Sequence, residues 1–282
     1  MDNVDDPLDV DIAIIDTGSQ YNHPDLHVFR QVNFSTESSA DDQNGHGTHV
    51  AGTAAAIDNG TGVVGVAPGA RIWSVKVLDR NGSGNLSDVI EGIDYVTQNA
   101  ASIEVANMSL GCECQTAAMD EAISRSVAAG VVYVVAAGNS AADGATFSPA
   151  NHPDVIAVSA IADFNGLPGG GAASTCRNDV DDSFADFSNF GSIVDIAAPG
   201  VCITSTWKGG KFNTISGTSM ASPHVTGAVA LYLLGRPKPQ NTADVGNVKA
   251  ALINAGFPQN GPNGFSGDPD GFHEPVLNAG NL

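Results

Sequence analysis

The chain has 282 residues, 42% of them hydrophobic, and its 31 acidic and 11 basic side chains give a net charge of -20. Such a surface repels nucleic acids and anionic membranes, so we expect neither as a partner. The acidity fits calcium binding or a saline environment, and composition does not separate the two. No apolar run is long enough to cross a membrane, and the length predicts one large domain.

Apolar runs alternate with helical patterns along the chain. Strands are predicted at residues 10–15, 71–78, 105–110, 131–137, 155–161 and 193–198. Helices are predicted at residues 47–57, 117–129 and 244–254. Two further helices are predicted, one with Ser87 as its N-cap and one that starts at Ser219 and stops at Gly235. The polar, glycine-rich segment 207–217 is not expected to form a strand. This alternation predicts an α/β fold, a three-layer sandwich with a mostly parallel central sheet and helices on both faces.

Three polar residues fall at the ends of predicted elements. Asp16 ends the first strand, His46 opens the first helix, and Ser219 opens a long apolar helix in which Pro223 is expected in the first turn. Ser219 alone is typical of a helix N-cap. Because sites gather at the carboxyl ends of parallel strands, the three side chains can converge. A serine nucleophile, a histidine base and an orienting aspartate suit acyl transfer.

The motifs around these residues resemble those of subtilisin-like serine proteases, the subtilase family. They are AIIDTG at 13–18, GHGTHVAGT at 45–53 and GTSMASPH at 217–224, in the family's order Asp, His, Ser. The resemblance implies a secreted serine endopeptidase that works through an acyl-enzyme. Two alternatives stay open: a catalytically silent binding module with this fold, and a metal-dependent hydrolase using His46 and His49. In the family the second histidine is structural.

The resemblance also implies a substrate cleft. Asn139 matches the family's oxyanion-hole asparagine, whose amide donates to the tetrahedral intermediate together with the Ser219 N–H. The residues that match the substrate-binding segments are Gly82, Ser83, Gly84, Leu86, Ser109, Leu110, Gly111, Ala136, Ala137 and Gly138. A peptide strand held between such segments is bound through main-chain hydrogen bonds.

Structural calcium is a further implication of the resemblance. A strong site matches Asp25 and the loop after the first helix, with Ile57, Asn59, Thr61 and Val63 as the other ligands. Oxygen-only ligation from a flexible loop suits this ion. A weaker cation site matches Asp195 with carbonyl groups near Ala150, His152 and Val155. The alternative for each carboxylate is a solvated surface side chain.

Four cysteines allow three disulfide pairings. The C-x-C spacing argues against a zinc site built from all four thiols. We expect disulfides Cys112–Cys114 and Cys176–Cys202, and therefore an oxidising compartment. The second closes a loop of about 26 residues and is worth ~3 kcal/mol in the chain-entropy model. The alternative is four reduced, buried thiols.

The same resemblance predicts the organisation and the partners of the chain. Residues 1–282 are expected to form a single catalytic domain without its propeptide, with 1–9 as a surface lead-in. Polypeptides are the expected substrates, a propeptide or a proteinaceous inhibitor is a further partner, and we expect a monomer. The tail, residues 267–282, matches no functional motif.

Overall fold

The computed structural model describes residues 2–282, and a large sheet forms its centre. The strands are β1 (Asp11–Asp16), β2 (Val28–Asn33), β3 (Arg71–Lys76), β4 (Val105–Met108), β5 (Cys112–Glu113), β6 (Val132–Ala136), β7 (Phe147–Ser148), β8 (Ile156–Ala162), β9 (Ser183–Phe184), β10 (Ile196–Pro199), β11 (Ile203–Trp207) and β12 (Lys211–Ile215). The helices are α1 (His46–Ala55), α2 (Leu86–Gln98), α3 (Ala117–Ala128), α4 (Thr218–Leu233) and α5 (Thr242–Ala255).

The central sheet has the strand order β10-β8-β6-β4-β1-β3-β2, and β9 is added antiparallel to β8. All pairs along the main order are parallel. Strands β1, β6 and β8 are buried along their whole length, as expected when helices cover both faces of a parallel sheet. The predicted α/β fold class is therefore confirmed.

The winding of the chain creates a crevice at the end of β1. After β1 the chain runs to the edge strand β2, returns through α1 to β3, and then passes β1 through α2 to reach β4, so the strands that follow β1 lie on both sides of it. Helix α4 packs with α1, and α3 packs with α2. Sites in doubly wound sheets lie at such switch points, and Asp16 is the last residue of β1.

The fold differs from the sequence prediction at two strands and at the start of one helix. Strand β2 was not expected, and the prediction that 207–217 forms no strand is wrong, because β12 pairs antiparallel with β11. Gly209 and Gly210 have φ of 81° and 67°, which allows the tight reversal between the two strands. The strands stabilise each other through cross-strand pairs, which a local hydrophobic pattern does not reveal. Helix α2 begins two residues earlier than predicted, with Asn85 and not Ser87 as its N-cap.

Both predicted disulfides, Cys112–Cys114 and Cys176–Cys202, are present, and no cysteine is free. The alternative of four reduced thiols is therefore excluded. Within residues 2–282, no helix has the length and hydropathy needed to cross a bilayer.

Candidate active site

Asp16 and His46 form a close pair at the end of β1. The Asp16 carboxylate is fully buried, and its Oδ1 and Oδ2 lie 2.8 Å and 3.0 Å from His46 Nδ1. The Thr17 N–H donates to Asp16 Oδ1 at 2.7 Å and holds the carboxylate in place. With Nδ1 bound to the carboxylate, the imidazole presents Nε2 as its free nitrogen.

The surroundings of His46 favour its protonated form. Burial lowers the pKa of His46, but the charge and hydrogen bond of Asp16 and the charge of Asp42 raise it, and the net shift is upward. A base with this environment accepts a proton readily and stabilises the resulting imidazolium. The site is therefore suited to deprotonating a weakly acidic hydroxyl.

Asp42 was not predicted, and it hydrogen-bonds both to the chain just after Asp16 and to the start of the helix that carries His46. It is buried, and it accepts hydrogen bonds from Gly45 N at 2.8 Å, Thr48 N at 3.0 Å and Thr17 Oγ1 at 3.0 Å. A negative charge beside the first turn of α1 complements the helix dipole. Its position four residues before His46, in a polar loop, is a signal that could have identified it.

Lys76, which was also not predicted, lies next to the Asp16–His46 pair. Its side chain is fully buried next to Asp16 in the sheet register, and Nζ donates at 2.7 Å to both Thr17 O and Leu78 O. Burial lowers the pKa of Lys76, while Asp42 and other nearby carboxylates raise it less. The ammonium group thus supplies a positive charge beneath the buried carboxylates.

Ser219 is the second residue of α4, so its N–H is one of the first four that have no helical acceptor. Its Oγ donates to Ser109 O at 3.2 Å. Among the described residues no hydrogen bond joins this hydroxyl to His46. The structure therefore places Ser219 at the same cleft as His46, with its hydroxyl bonded to the segment that directly follows β4.

Pro223 lies well inside α4 and not in its first turn, so that prediction is wrong. A proline at this position has no N–H for the carbonyl group of Ser219. The Ser109 Oγ replaces that donor and reaches Ser219 O at 2.8 Å. Ser109 therefore satisfies the backbone of the serine motif in addition to lining the cleft.

Asn139 is oriented by Thr218, a residue of the GTSMASPH motif for which no role was predicted. Asn139 Oδ1 accepts from Thr218 N at 2.8 Å and from Thr218 Oγ1 at 3.0 Å. Its Nδ2 remains available as a donor. A Cβ placed on Gly217 would lie 3.6 Å from Asn139 Nδ2 and 3.7 Å from Ser219 N. Both N–H groups thus border the same space, which is suited to an anionic oxygen.

The cleft consists of two adjoining cavities of about 560 Å³ and 390 Å³ that share the wall from Ser109 to Cys112. His46 lines the first and Ser219 the second. All the predicted substrate-binding residues line one or both cavities: Gly82, Ser83, Gly84 and Leu86 the first, Ser109, Leu110 and Gly111 both, and Ala136, Ala137 and Gly138 the second. The geometry offers an extended groove with the reactive groups near its middle.

His49 is not arranged as a metal ligand together with His46. It is fully buried, and its Nε2 is 3.0 Å from Ile203 O. Burial lowers the pKa of His49 to about 4. A neutral, buried imidazole held by a backbone carbonyl has a structural position, as the family resemblance implied.

The residues of the predicted strong calcium site lie together. Asp25 is 2% exposed, and its two oxygens accept from Asn59 Nδ2 and Val63 N, each at 3.1 Å. Asn59 Oδ1 accepts from Thr61 N at 2.9 Å. Burial is the main cause of the raised pKa of Asp25, and Asp58 Oδ1 is buried nearby without a partner. A desolvated carboxylate between β1 and β2 and an unsatisfied oxygen in the loop after α1 together fit a hard cation.

The predicted weak cation site is wrong, because Lys249 takes the position of the ion. Its Nζ lies 2.8 Å from Asp195 Oδ2, 2.7 Å from Val155 O and 3.2 Å from Pro153 O. The ammonium group therefore satisfies the oxygens that a metal would need. His152 is also engaged elsewhere, since its Nε2 is 2.9 Å from Ser124 Oγ. The predicted carbonyl ligand at Ala150 belonged to this site and is not retained.

A further acidic group lies far from the cleft along the chain. Asp163, Asp181 and Asp182 each offer a carboxylate oxygen within 4.8 Å of the others. Both oxygens of Asp181 accept backbone hydrogen bonds, from Phe164 N and Ala172 N at 2.8 Å. The group was not predicted, and we assign it no function.

Comparison with known proteins agrees with this geometry. The sequence matches the subtilase family model over residues 9–269. It is 46% identical over 225 residues to a thermophilic serine proteinase of Bacillus sp. (strain AK1), an alignment that covers 78% of this chain but only 51% of that protein. It is 43% identical over 232 residues to subtilisin DY of Bacillus licheniformis, covering 81% and 78% of the two chains.

A solved structure gives the same result. The crystal structure of a cold-adapted subtilisin-like serine proteinase matches with a TM-score of 0.79 and 35% identity, over 99% of this chain and 90% of the other. Sequence, fold and the arrangement of Asp16, His46 and Ser219 thus agree. The chain belongs to the subtilase family.

Proposed function

We propose that this chain is a secreted serine endopeptidase with Asp16, His46 and Ser219 as its catalytic triad. One observation carries the proposal: the imidazole of His46, bound to Asp16 at 2.8 Å, lines a cavity that adjoins the one lined by Ser219 and Asn139. Membership of a family whose relatives are named serine proteinases and subtilisins supports peptide-bond hydrolysis as the reaction.

The proposed reaction begins when the Ser219 hydroxyl turns from Ser109 O toward His46 Nε2. Catalytic hydrogen bonds of this kind often form only in the substrate complex. His46 takes the proton as Ser219 Oγ attacks the peptide carbonyl, and Asp16 stabilises the imidazolium. Asn139 Nδ2 and Ser219 N donate to the oxyanion. His46 then protonates the leaving amine, and water hydrolyses the acyl-enzyme with the roles reversed.

Polypeptides are the proposed substrates, bound as an extended strand between the segments 82–86 and 109–111. Backbone approaches backbone closely there, and a Cβ on Gly84 would come within 2.4 Å of Val77 O. Segment 136–138 is the proposed wall of the pocket beside Ser219. We also propose a monomer with a single catalytic domain, and a propeptide or a proteinaceous inhibitor as a further partner of this cleft.

Calcium is the proposed structural cofactor, held by Asp25, Ile57, Asn59, Thr61 and Val63. The buried carboxylate of Asp25 and the unsatisfied Oδ1 of Asp58 in the adjacent loop support this assignment. The ion would stabilise the loop after α1 and take no part in the chemistry. The two disulfides support secretion, because such bonds persist in oxidising compartments.

A fluorophosphonate probe tests the proposed nucleophile. We expect labelling of the folded protein at Ser219, none in Ser219→Ala, and unchanged labelling in Ser102→Ala, which alters an exposed serine in a turn. Folded protein that is not labelled would overturn the protease assignment and favour the catalytically silent binding module.

A chelator separates the proposal from a metal-dependent hydrolase that uses His46 and His49. For a serine protease with structural calcium, we expect activity to fall slowly and in parallel with unfolding measured by circular dichroism. An immediate loss of activity in fully folded protein would contradict the proposal.

A further inference from the structure

Asn107 is a fully buried amide on β4, just before the cleft wall that begins at Ser109. Its Nδ2 donates to Ser109 Oγ at 2.9 Å. Its Oδ1 accepts from two hydroxyl groups of α4, from Ser222 Oγ at 2.7 Å and from Thr226 Oγ1 at 2.9 Å. One buried side chain therefore joins the cleft wall to the helix that carries Ser219.

The hydrogen bonds around Ser109 fix which end of the Asn107 amide faces it. Ser109 Oγ has a single proton, which it donates to Ser219 O at 2.8 Å. That carbonyl group depends on this donor, because Pro223 has no N–H. The other partner of Ser109 Oγ must therefore be a donor, and Asn107 Nδ2 is one. A reversed amide would accept the Ser109 proton and leave the Ser219 carbonyl group unsatisfied.

Ser219 is held through both of its flanking peptide groups. Ser109 Oγ binds the carbonyl group after it, and Ser109 O accepts from Ser219 Oγ at 3.2 Å. On the other side, Asn139 Oδ1 accepts from Thr218 N at 2.8 Å. Because peptide groups are planar, fixing the groups on both sides of a residue fixes its backbone dihedral angles. The directions of Ser219 N and Ser219 Oγ are set in this way.

We propose that Asn107 is a positioning residue for the serine nucleophile: through Ser109 it fixes the direction of the Ser219 backbone without touching the substrate. This inference rests on the proposed function. An oxyanion donor acts only when it points to the place where charge develops, and a small displacement of a reacting group is costly. Without Asn107 the Ser109 hydroxyl can rotate, and the Ser219 carbonyl group loses its fixed donor.

Steady-state kinetics of Asn107→Ala with a peptide substrate tests the proposal. We expect kcat to fall about 10- to 100-fold, less than for direct loss of an oxyanion donor. KM should change less than about threefold, because the affected groups act in the transition state. Ser126→Ala is the matched control: this buried hydroxyl accepts from Tyr133 Oη and lines neither cavity of the cleft. It should lower the melting temperature and leave kcat unchanged.

Two double variants separate positioning from general destabilisation. Because Asn107 acts through Ser109, Asn107→Ala should cost less than about threefold in kcat when Ser109→Ala is already present. Pro223→Ala gives the Ser219 carbonyl group a backbone N–H, so the kcat loss caused by Asn107→Ala should be smaller in that background as well. An equal loss in all three backgrounds would assign Asn107 to stability alone and overturn the proposal, and so would an unchanged kcat.

The fluorophosphonate probe distinguishes failure of this inference from failure of the proposed function. Folded wild-type protein that is not labelled would overturn both. Wild-type protein labelled at Ser219, together with Asn107→Ala labelled at the same rate, would overturn only the positioning role. If Asn107→Ala does not fold, Asn107→Ser decides by the same split between kcat and KM, because its hydroxyl ends one bond short of the Nδ2 position and faces Ser109 without the amide donor.

Discussion

The ammonium group of Lys249 lies 2.8 Å from the carboxylate of Asp195 and 2.7 Å from the carbonyl oxygen of Val155. Family resemblance assigned these two oxygens to a bound cation. Here a side chain of α5 supplies the positive charge, so this corner of the molecule needs no ion. The two side chains are 21% and 17% exposed, and the pair is thus largely shielded from solvent.

Replacing Lys249 with methionine should destabilise the protein by about 2 kcal/mol, less than for a fully buried pair because solvent screens it in part. Burial already raises the pKa of Asp195, against the lowering effect of Lys249. Without Lys249 that pKa rises further, so Asp195 is protonated as the pH falls and the uncompensated charge disappears. In denaturant unfolding, the stability lost by Lys249→Met should therefore be smaller at about pH 5 than at about pH 8.

The exposed Lys211→Met is the control for Lys249→Met and should leave stability almost unchanged. An equal deficit at both pH values would contradict the role of Asp195 in this effect. Calcium that restores stability to Lys249→Met but has no such effect on Lys211→Met would show that the vacated oxygens accept an ion.

The Asp16→Asn variant should lose about 10⁴-fold in kcat, because the imidazole is no longer held in the correct tautomer. Its pH profile should also move. Asp16 and Asp42 raise the pKa of His46 above its ordinary value, against the effect of burial. Removing the Asp16 charge lowers that pKa, so the acid limb of kcat/KM should shift to lower pH.

Asp42→Asn should shift the same limb in the same direction by a smaller amount, because its charge is the weakest of the causes that raise the pKa. The exposed Glu91→Gln is the control. An acid limb that stays in place in both aspartate variants would show that His46 is not the titrating base.

Ser109→Ala should lower the stability by about 1–2 kcal/mol, because the Ser219 carbonyl loses its donor and Pro223 cannot replace it. Pro223→Ala restores a backbone N–H at that point of α4. The double variant should therefore be less destabilised than the sum of the two single changes. Strict additivity in urea unfolding would contradict the link between Ser109 and Pro223.

Glu113 should make the cleft prefer peptide substrates that carry a basic side chain before the cleaved bond. Among residues 2–282 it is the only ionisable residue that lines the cavity beside Ser219, and it stands opposite Phe147 in the β5–β7 pair, which places both on one face. Because Glu113 is exposed, the effect is modest, about two- to fivefold in kcat/KM. Peptides with Lys or Arg before the cleaved bond should lose this advantage over Leu in Glu113→Gln, whereas an unchanged ratio would exclude the role.

Local sequence patterns were sufficient to predict the framework of inner strands and helix starts. Apolar runs located the inner strands, and the motifs around Asp16, His46 and Ser219 placed each residue at the correct end of its element. These features depend on neighbours along the chain: burial on both faces makes a continuous apolar strand, and helix starts have their own chemistry. The cysteine pairs could likewise be anticipated.

Contacts between distant residues needed the tertiary structure. Lys249 lies 94 positions from Val155, and Ser109 lies 110 positions from the carbonyl of Ser219. The hairpin of β11 and β12 likewise depends on cross-strand partners. No local periodicity encodes which distant donor satisfies a buried acceptor, because packing in three dimensions makes that choice.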